Sequence, residues 1–521
     1  MAFLTPLRRL LAGALMALMP WSAAQAADEL IVLCYHEVES GRAFPVPRTA
    51  VLASELAAQF AWLRAAGYTP VSLQQVLDAR GGGRALPGKA ILLTFDDGKK
   101  DVYTRVFPLL KLFRYPALVA LTGRWLEVPV GGEVDYDGQP LPRGDFVTWE
   151  EVREMQRSGL VEIASHTYDL HRGVPANPQG NTQPAAITRI YQDGRYETDD
   201  VYLKRLRNDL GANRDLIARR TGTAPRAIAW PYGRTNRAAQ EIAAQLGMGV
   251  GLTLEDGVNT PATPLMALKR NLIERGPTLE AYAAALRRVW LPDPARSVRV
   301  QPAAWEMAEE GLSRTLDRIQ RVSPNVTFVD PRAAPGAPEA VLFPTSRRAL
   351  GEDFLNRVAW QVERRAGGEV FIELPQAWLD DAALLADLAR QVNFSGVRVA
   401  AMPGDPAVAR ALATIERWRL PVRVAYAPAT RVPVEAWEKL RSDDIVVLPA
   451  TADMFAAVAP GHASRVLFEF DPAGLPAARI AAEMRRLEAD GFRQFGVGGL
   501  PDGGFDAVWR ALSLRSQPVL P

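Results

Sequence analysis

Thiols and imidazoles are scarce in this chain: one cysteine and four histidines in 521 residues. With Cys34 alone, no intramolecular disulfide can form, so the core must hold itself together. An excess of charge of one sign is also missing. There are 61 basic and 59 acidic side chains. Removing residues 1–26 takes away Arg8 and Arg9 and no acid, leaving 61 − 2 = 59 against 59. A balanced surface gives no footprint for nucleic acid or an anionic membrane. Long apolar runs are absent except at the start, where Leu10 to Trp21 falls short of the roughly 20 residues that span a bilayer. That run follows Arg8 and Arg9 and precedes Ala24-Gln25-Ala26, a small-x-small cleavage pattern. Residues 1–26 therefore read as a secretory leader, and the mature protein is expected in a bacterial periplasm. Cys34 follows Ile31-Val32-Leu33, a strand already under way, and so is not read as a lipid-attachment site.

What is present is concentrated at strand ends. Ile91-Leu92-Leu93-Thr94-Phe95 runs directly into Asp96-Asp97-Gly98. A buried strand that delivers two adjacent acids is costly unless they meet a cation or do chemistry. Val161 to Ala164 leads to Ser165-His166, and His171 follows five residues later, so half of all the histidines lie in one short stretch. A spacing of five does not stack side chains on one helix face, and it calls for a loop. Leu30 to Leu33 ends near His36, and Ala227 to Trp230 ends in Pro231-Tyr232-Gly233. Between these runs lie helical periodicities at Ser54–Ala66, Val102–Phe113, Thr148–Gln156 and Asp199–Arg220. Arg172 to Gly194 reads as a long surface loop. Alternating strands and helices imply an α/β fold of parallel strands, with its chemistry at their C-terminal ends. One carboxylate with two imidazoles leaves a divalent ion open positions, as metal-dependent hydrolysis requires.

Thr94-Phe95-Asp96-Asp97-Gly98, Ser165-His166-Thr167 with His171, and Trp230-Pro231-Tyr232-Gly233 together resemble the motifs of the polysaccharide deacetylases, carbohydrate esterase family four. Tyr35-His36-Glu37-Val38 and Tyr103 to Leu110 are similar to one branch, the poly-β-1,6-N-acetylglucosamine N-deacetylases of biofilm exopolysaccharide systems. The resemblance is strong over residues 29–290. It implies a (β/α) deacetylase barrel in which Asp97, His166 and His171 bind a divalent metal (zinc, cobalt, nickel or iron) and Asp96 is the general base. By the same resemblance His36 is the general acid, Tyr232 lends its backbone N–H to the oxyanion, and Trp230 and Pro231 contact substrate; Arg270 is the candidate to orient Asp96 electrostatically, against the common solvated arginine. It also implies N-acetylglucosamine polysaccharide as substrate and an outer-membrane export protein as a partner. Peptidoglycan or chitin-like oligomers are an alternative substrate, and a non-catalytic polysaccharide-binding protein an alternative class. Lys99 departs from the aromatic residue often found after Asp-Asp-Gly in this branch, which puts any stacking role there in doubt.

The expected boundaries are 1–26 for the leader, 27–291 for the deacetylase domain and 297–521 for a second domain, with Pro292-Asp293-Pro294 as linker. Strand-like runs recur at Val326–Val329, Ala340–Phe343, Val370–Leu374, Val397–Ala401, Val422–Ala425, Ile445–Leu448, Val466–Phe470 and Phe495–Val497. They predict a second, degenerate (β/α) barrel, which the resemblance makes glycoside hydrolase-like. The stretch Val399 to Asp405, where the branch carries its acidic pair, lacks one. No glycoside cleavage is expected there, because that reaction ordinarily needs two facing carboxylates. Trp378, Trp418 and Trp437 are read as core rather than sugar platforms.

Overall fold

The structure is a computed structural model, and it describes residues 29–41, 48–276, 278–286, 294–301, 309–334 and 339–500. The leader and the 292–294 linker core lie wholly or mostly outside these residues. No helix among the described residues is long and apolar enough to cross a membrane.

The first half is built on a curled parallel sheet. Its strands run in the spatial order Val250–Leu252, Ala227–Ala229, Val161–Ser165, Ala117–Leu121, Ala90–Phe95, Leu30–Tyr35 and Asn271–Leu272, and Thr69–Pro70 adds an eighth strand beside Ala90–Phe95. Every residue of Leu30–Tyr35 and Ala90–Phe95 is buried. That burial on both faces explains why these strands read as unbroken apolar runs rather than alternating ones. The curl is drawn together by the segment around Leu268, which bridges Leu252 at one edge just before Asn271 pairs with Leu33 at the other.

Helix ends fall where their chemistry places them. Ser72 and Thr148 each form a reciprocal cap with Gln75 and Glu151, and they open the helices Leu73–Arg80 and Trp149–Arg157. The long helix Asp199–Thr221 starts at the Thr198 cap and stops at Gly222, φ +81°.

The second half is a closed barrel of eight parallel strands, Arg296–Val300, Val326–Val329, Glu369–Leu374, Gly396–Val399, Arg423–Tyr426, Ile445–Pro449, Val466–Phe470 and Gln494–Val497. Two strand expectations need correction. Ala340–Phe343 supplies only a short side pair with Ala349–Leu350, and the first barrel strand is Arg296–Val300. Its Arg-Ser-Val-Arg-Val sequence hides an alternation. Val298 and Val300 face the outer core, while Arg299 points toward the charged mouth. Phe328, Phe371, Ala425, Val447 and Leu467 fill the barrel interior. Trp378, Trp418 and Trp437 are 3%, 5% and 2% exposed, so they pack rather than present faces to sugar.

Residues 172–194 are not a free surface loop. They form two short hairpins, and Ala185, Ala186 and Arg189 are buried. Gln183 Nε2 donates to Asn356 Oδ1 at 3.0 Å, and Asn356 Nδ2 donates to the Ala176 carbonyl at 3.1 Å. Arg189 stacks on Tyr202 at 3.5 Å and on Trp418 at 4.6 Å. One apolar cluster runs from Leu170, Tyr202 and Trp230 into the barrel helices, so the stretch is an interface between the halves.

Candidate metal centre and strand-end acids

Four parallel strands deliver the site. Leu30–Tyr35 ends at His36, Ala90–Phe95 at Asp96 and Asp97, Val161–Ser165 at His166, and Ala227–Ala229 just before Tyr232. Neighbouring acids at a strand end diverge because the backbone turns between them. Asp97 sits at φ +72° and Gly98 at φ +70°. A non-glycine residue in this region costs about 1–3 kcal/mol and persists where the surroundings impose it. A side chain at Gly98 would be strained by φ +70° and would push the Leu121 side chain aside, since a Cβ there would lie 2.7 Å from it.

Asp97, His166 and His171 bring one ligand atom each to within 4.8 Å of one another. Asp97 Oδ1 lies 3.4 Å from His166 Nε2 and 3.5 Å from His171 Nε2. Donors about 2.0–2.1 Å from a tetrahedral ion are separated by roughly 3.4 Å, so the spacing suits a first-row divalent metal. Asp97 Oδ1 and His166 Nε2 are buried and make no hydrogen bond. Orphaned polar atoms of this kind need an explanation, and a cation supplies one. The donor set fits in its chemistry as well. His166 Nδ1 donates to the Ala229 carbonyl at 2.7 Å, which leaves its Nε2 lone pair facing the cage. Burial lowers the His171 pKa to about 4, keeping it in the neutral form a ligand must have. Burial opposes ionisation of Asp97, but the three imidazoles around it outweigh that and hold its carboxyl far below the usual range.

Asp96 is paired with Arg270 beside the cage. Arg270 is 0% exposed; its Nη1 donates to Asp96 Oδ1 at 2.8 Å and its Nε to the Thr253 carbonyl at 2.7 Å. Burial raises the Asp96 pKa, yet Arg270, His166 and His36 bring it down to about 2. The remaining oxygen, Oδ2, lies 3.5 Å from Cys34 Sγ. For His36, burial favours the neutral ring, while Cys34, Asp97 and Asp96 push the pKa up to about 10. His36 is thus an imidazolium at neutral pH in the metal-free protein. Its pKa lies above the unfolded value of about 6.5, so its contribution to stability is complete below that value and is lost as pH rises through about 10. An NMR titration of the metal-free protein should show the His36 ring still protonated at pH 8. A midpoint near 6.5 would contradict the assignment.

Two site residues were illegible in the sequence. Tyr136, on the hairpin formed by Glu133–Tyr136 and Gln139–Pro142, donates its hydroxyl to Asp97 Oδ2 at 2.5 Å. The adjacent Asp137 accepts from the Tyr232 hydroxyl at 2.8 Å, so the hairpin is pinned over the cage from two sides. Lys99 places Nζ 4.1 Å from the Tyr136 ring centroid and 4.8 Å from that of Phe146, a cation–π contact in the place where the family's aromatic would stand. The only sequence signal for the hairpin is the turn Asp137-Gly138. Replacing Tyr136 by Phe should weaken metal binding by about 10–100-fold, since it frees the second oxygen of a ligating carboxylate. Competition with a chelator reads this directly.

Tyr232 lies at φ +57° with its ring 4.7 Å from that of His171, which sets its backbone beside the cage. Trp230 and Pro231 require correction. Both are buried, Trp230 at 0% exposure, and their side chains pack in the core rather than contacting substrate.

At the barrel mouth the acids already have partners. Asp405 caps the helix Pro406–Glu416 by accepting from Ala407 N at 2.8 Å. Acids nevertheless gather at other strand ends. Asp330 binds Arg332 at 2.8 Å, Glu373 binds Arg299 at 2.7 Å, and Glu469 binds Arg398 at 2.8 Å. Three carboxylates are therefore present, and each is engaged by an arginine.

Fold and site define the class: an α/β protein whose strand-end carboxylate and two imidazoles could hold a metal ion, beside a second, arginine-held acid. The polysaccharide deacetylase family model matches residues 83–251, so the chain carries a polysaccharide deacetylase domain. Over 374 residues, 69% of this chain and 54% of the relative, it is 34% identical to the poly-beta-1,6-N-acetyl-D-glucosamine N-deacetylase of Escherichia coli K12. The chain thus spans about half the length of the curated relatives it matches. A de-N-acetylase from Aggregatibacter actinomycetemcomitans is 38% identical, with TM-score 0.47, 49% of this chain and 99% of that one covered. The BpsB deacetylase domain from Bordetella bronchiseptica is 43% identical, with TM-score 0.44 and coverage of 47% and 96%.

Proposed function

We propose that this protein removes acetyl groups from N-acetylglucosamine residues of a poly-β-1,6-linked exopolysaccharide, using one divalent ion held by Asp97, His166 and His171. The observation that carries the proposal is the convergence of those three ligand atoms within 4.8 Å, beside a buried Asp96 anchored by Arg270. When bound, the ion polarises the amide carbonyl and lowers the pKa of the attacking water. Asp96 accepts the proton of that water. A carboxylate with pKa about 2 is a weak base, so it depends on a strongly acidified water, and its work is coupled to the cage. The Tyr232 N–H donates to the developing oxyanion. His36, resting as the imidazolium, gives its proton to the departing amine.

Residues 1–26 support a periplasmic location, and an outer-membrane export protein is the proposed partner for the partly cationic product. The barrel is proposed to hold polymer without cutting it, since each mouth acid is engaged by an arginine. The size distribution of partially deacetylated polymer should stay unchanged on incubation with the protein. Shortened chains would refute that role. The decisive assay is acetate release from β-1,6-linked N-acetylglucosamine oligomers. Release should stop with a chelator and return on adding a divalent ion, whereas release indifferent to chelation would reject the proposal.

A further inference from the structure

Cys34 lies on the strand that presents His36, fully buried, with its sulfur turned toward both the acid and the base of the site. Its Sγ is 3.5 Å from Asp96 Oδ2 and 3.9 Å from His36 Nδ1, and one ligand atom from each of these three residues lies within 4.8 Å of the others. We propose that Cys34, His36 and Asp96 form a second site, inhibitory and selective for a sulfur-seeking divalent ion such as zinc or cadmium. This rests on the function proposed above, in which His36 and Asp96 carry the protons.

The three donors are one thiol, one imidazole and one carboxylate, a set that zinc accepts readily. Around a tetrahedral zinc, a sulfur at about 2.3 Å and an oxygen at about 2.1 Å are separated by roughly 3.5 Å, which is the spacing between Cys34 and Asp96; the imidazole, 3.9 Å from the sulfur, moves inward to complete the set. Asp96 is available on one side only. Arg270 occupies Oδ1, leaving Oδ2 to face the sulfur. His36 is half-buried, so it is the one of the three donors that solvent reaches directly.

Binding releases the thiol proton and the imidazolium proton to solvent, and the resulting thiolate and carboxylate neutralise the ion's two charges. Occupancy takes the lone pair that Asp96 needs as a base and the proton that His36 needs as an acid. Turnover stops without displacement of the ion in the Asp97 cage. That cage contains no sulfur, so the two sites rank metals differently: cobalt, nickel and iron are compatible with the first, while zinc and cadmium gain most at the second.

The test is a cadmium titration of the full chain, with bound ions counted by equilibrium dialysis and the sulfur-to-cadmium charge-transfer absorption followed in the ultraviolet. The expected result is two ions per chain. The charge-transfer band should grow as the sulfur site fills, alongside loss of acetate release. Cys34→Ser, which retains a donor toward Asp96, should bind one ion, show no band and resist excess cadmium when compared with its own one-equivalent activity. Asp97→Asn should lose the first ion and keep the band, which separates failure of this site from failure of the proposed function. If Cys34→Ser does not fold, Cys34→Ala takes its place with the same expected outcome. A wild-type chain that shows no thiolate band at saturating cadmium overturns the proposal.

Discussion

Replacing Asp97 by Asn should reduce acetate release to background and weaken binding of the first divalent ion by more than about 100-fold, because loss of a ligand exceeds the 10–100-fold cost of losing a ligand's own partner. Asparagine has nearly the shape of aspartate, so the backbone turn at φ +72° and the Tyr136 contact can persist. What disappears is the negative charge that now faces two buried imidazoles at 3.4 and 3.5 Å. Metal content after dialysis at micromolar free ion is the readout. A variant that retained one ion per chain with wild-type affinity would place the ion elsewhere.

Asp96→Asn should give the opposite pattern, with the first ion kept and turnover lowered by about 10²–10⁴-fold, the usual share of a general base. It should also be less stable. Arg270 is fully buried and Asp96 is its carboxylate partner at 2.8 Å; an uncompensated buried charge costs about 3–5 kcal/mol. Loss of activity could then be mistaken for loss of fold. Combining Asp96→Asn with Arg270→Met separates the two, since removing both charges should recover most of the stability and none of the turnover. Thermal unfolding together with acetate release at a temperature where every variant is folded makes the comparison. Near-wild-type turnover in Asp96→Asn would remove it from the role of base. The losses from Asp96→Asn and Asp97→Asn should not add, because a base this weak acts only on water acidified at the cage.

Much of this was legible because parallel strands write themselves plainly. The apolar runs Leu30–Tyr35 and Ala90–Phe95 are buried on both faces, and each ends directly in its functional residue. Histidine scarcity made His166 and His171 conspicuous. Arg270 is different. It lies 174 positions from Asp96, and only the curl of the sheet brings Asn271 alongside Leu33. Tyr136 was hidden for a related reason, since its hairpin contacts the site from above and not through a strand register. Trp230 misled because its place in the motif suggested substrate contact, whereas its side chain is fully buried. The Arg172–Gly194 stretch, rich in loop formers, concealed an interface because its partner surface is more than 150 residues away at Asn356 and Trp360. Of the barrel acids, Glu469 stood out in the sequence as a candidate that a partner would engage, and Arg398 engages it; Asp330 and Glu373 were not singled out, because only closure of the ring gathers them.

The most direct measurement is X-ray absorption at the metal edge of the full chain loaded with one equivalent of cobalt. The account predicts a first coordination sphere of nitrogen and oxygen alone, with two imidazole signatures that fall to one in His171→Ala. A sphere containing sulfur at this stoichiometry, or imidazole scattering unchanged in that variant, would contradict it.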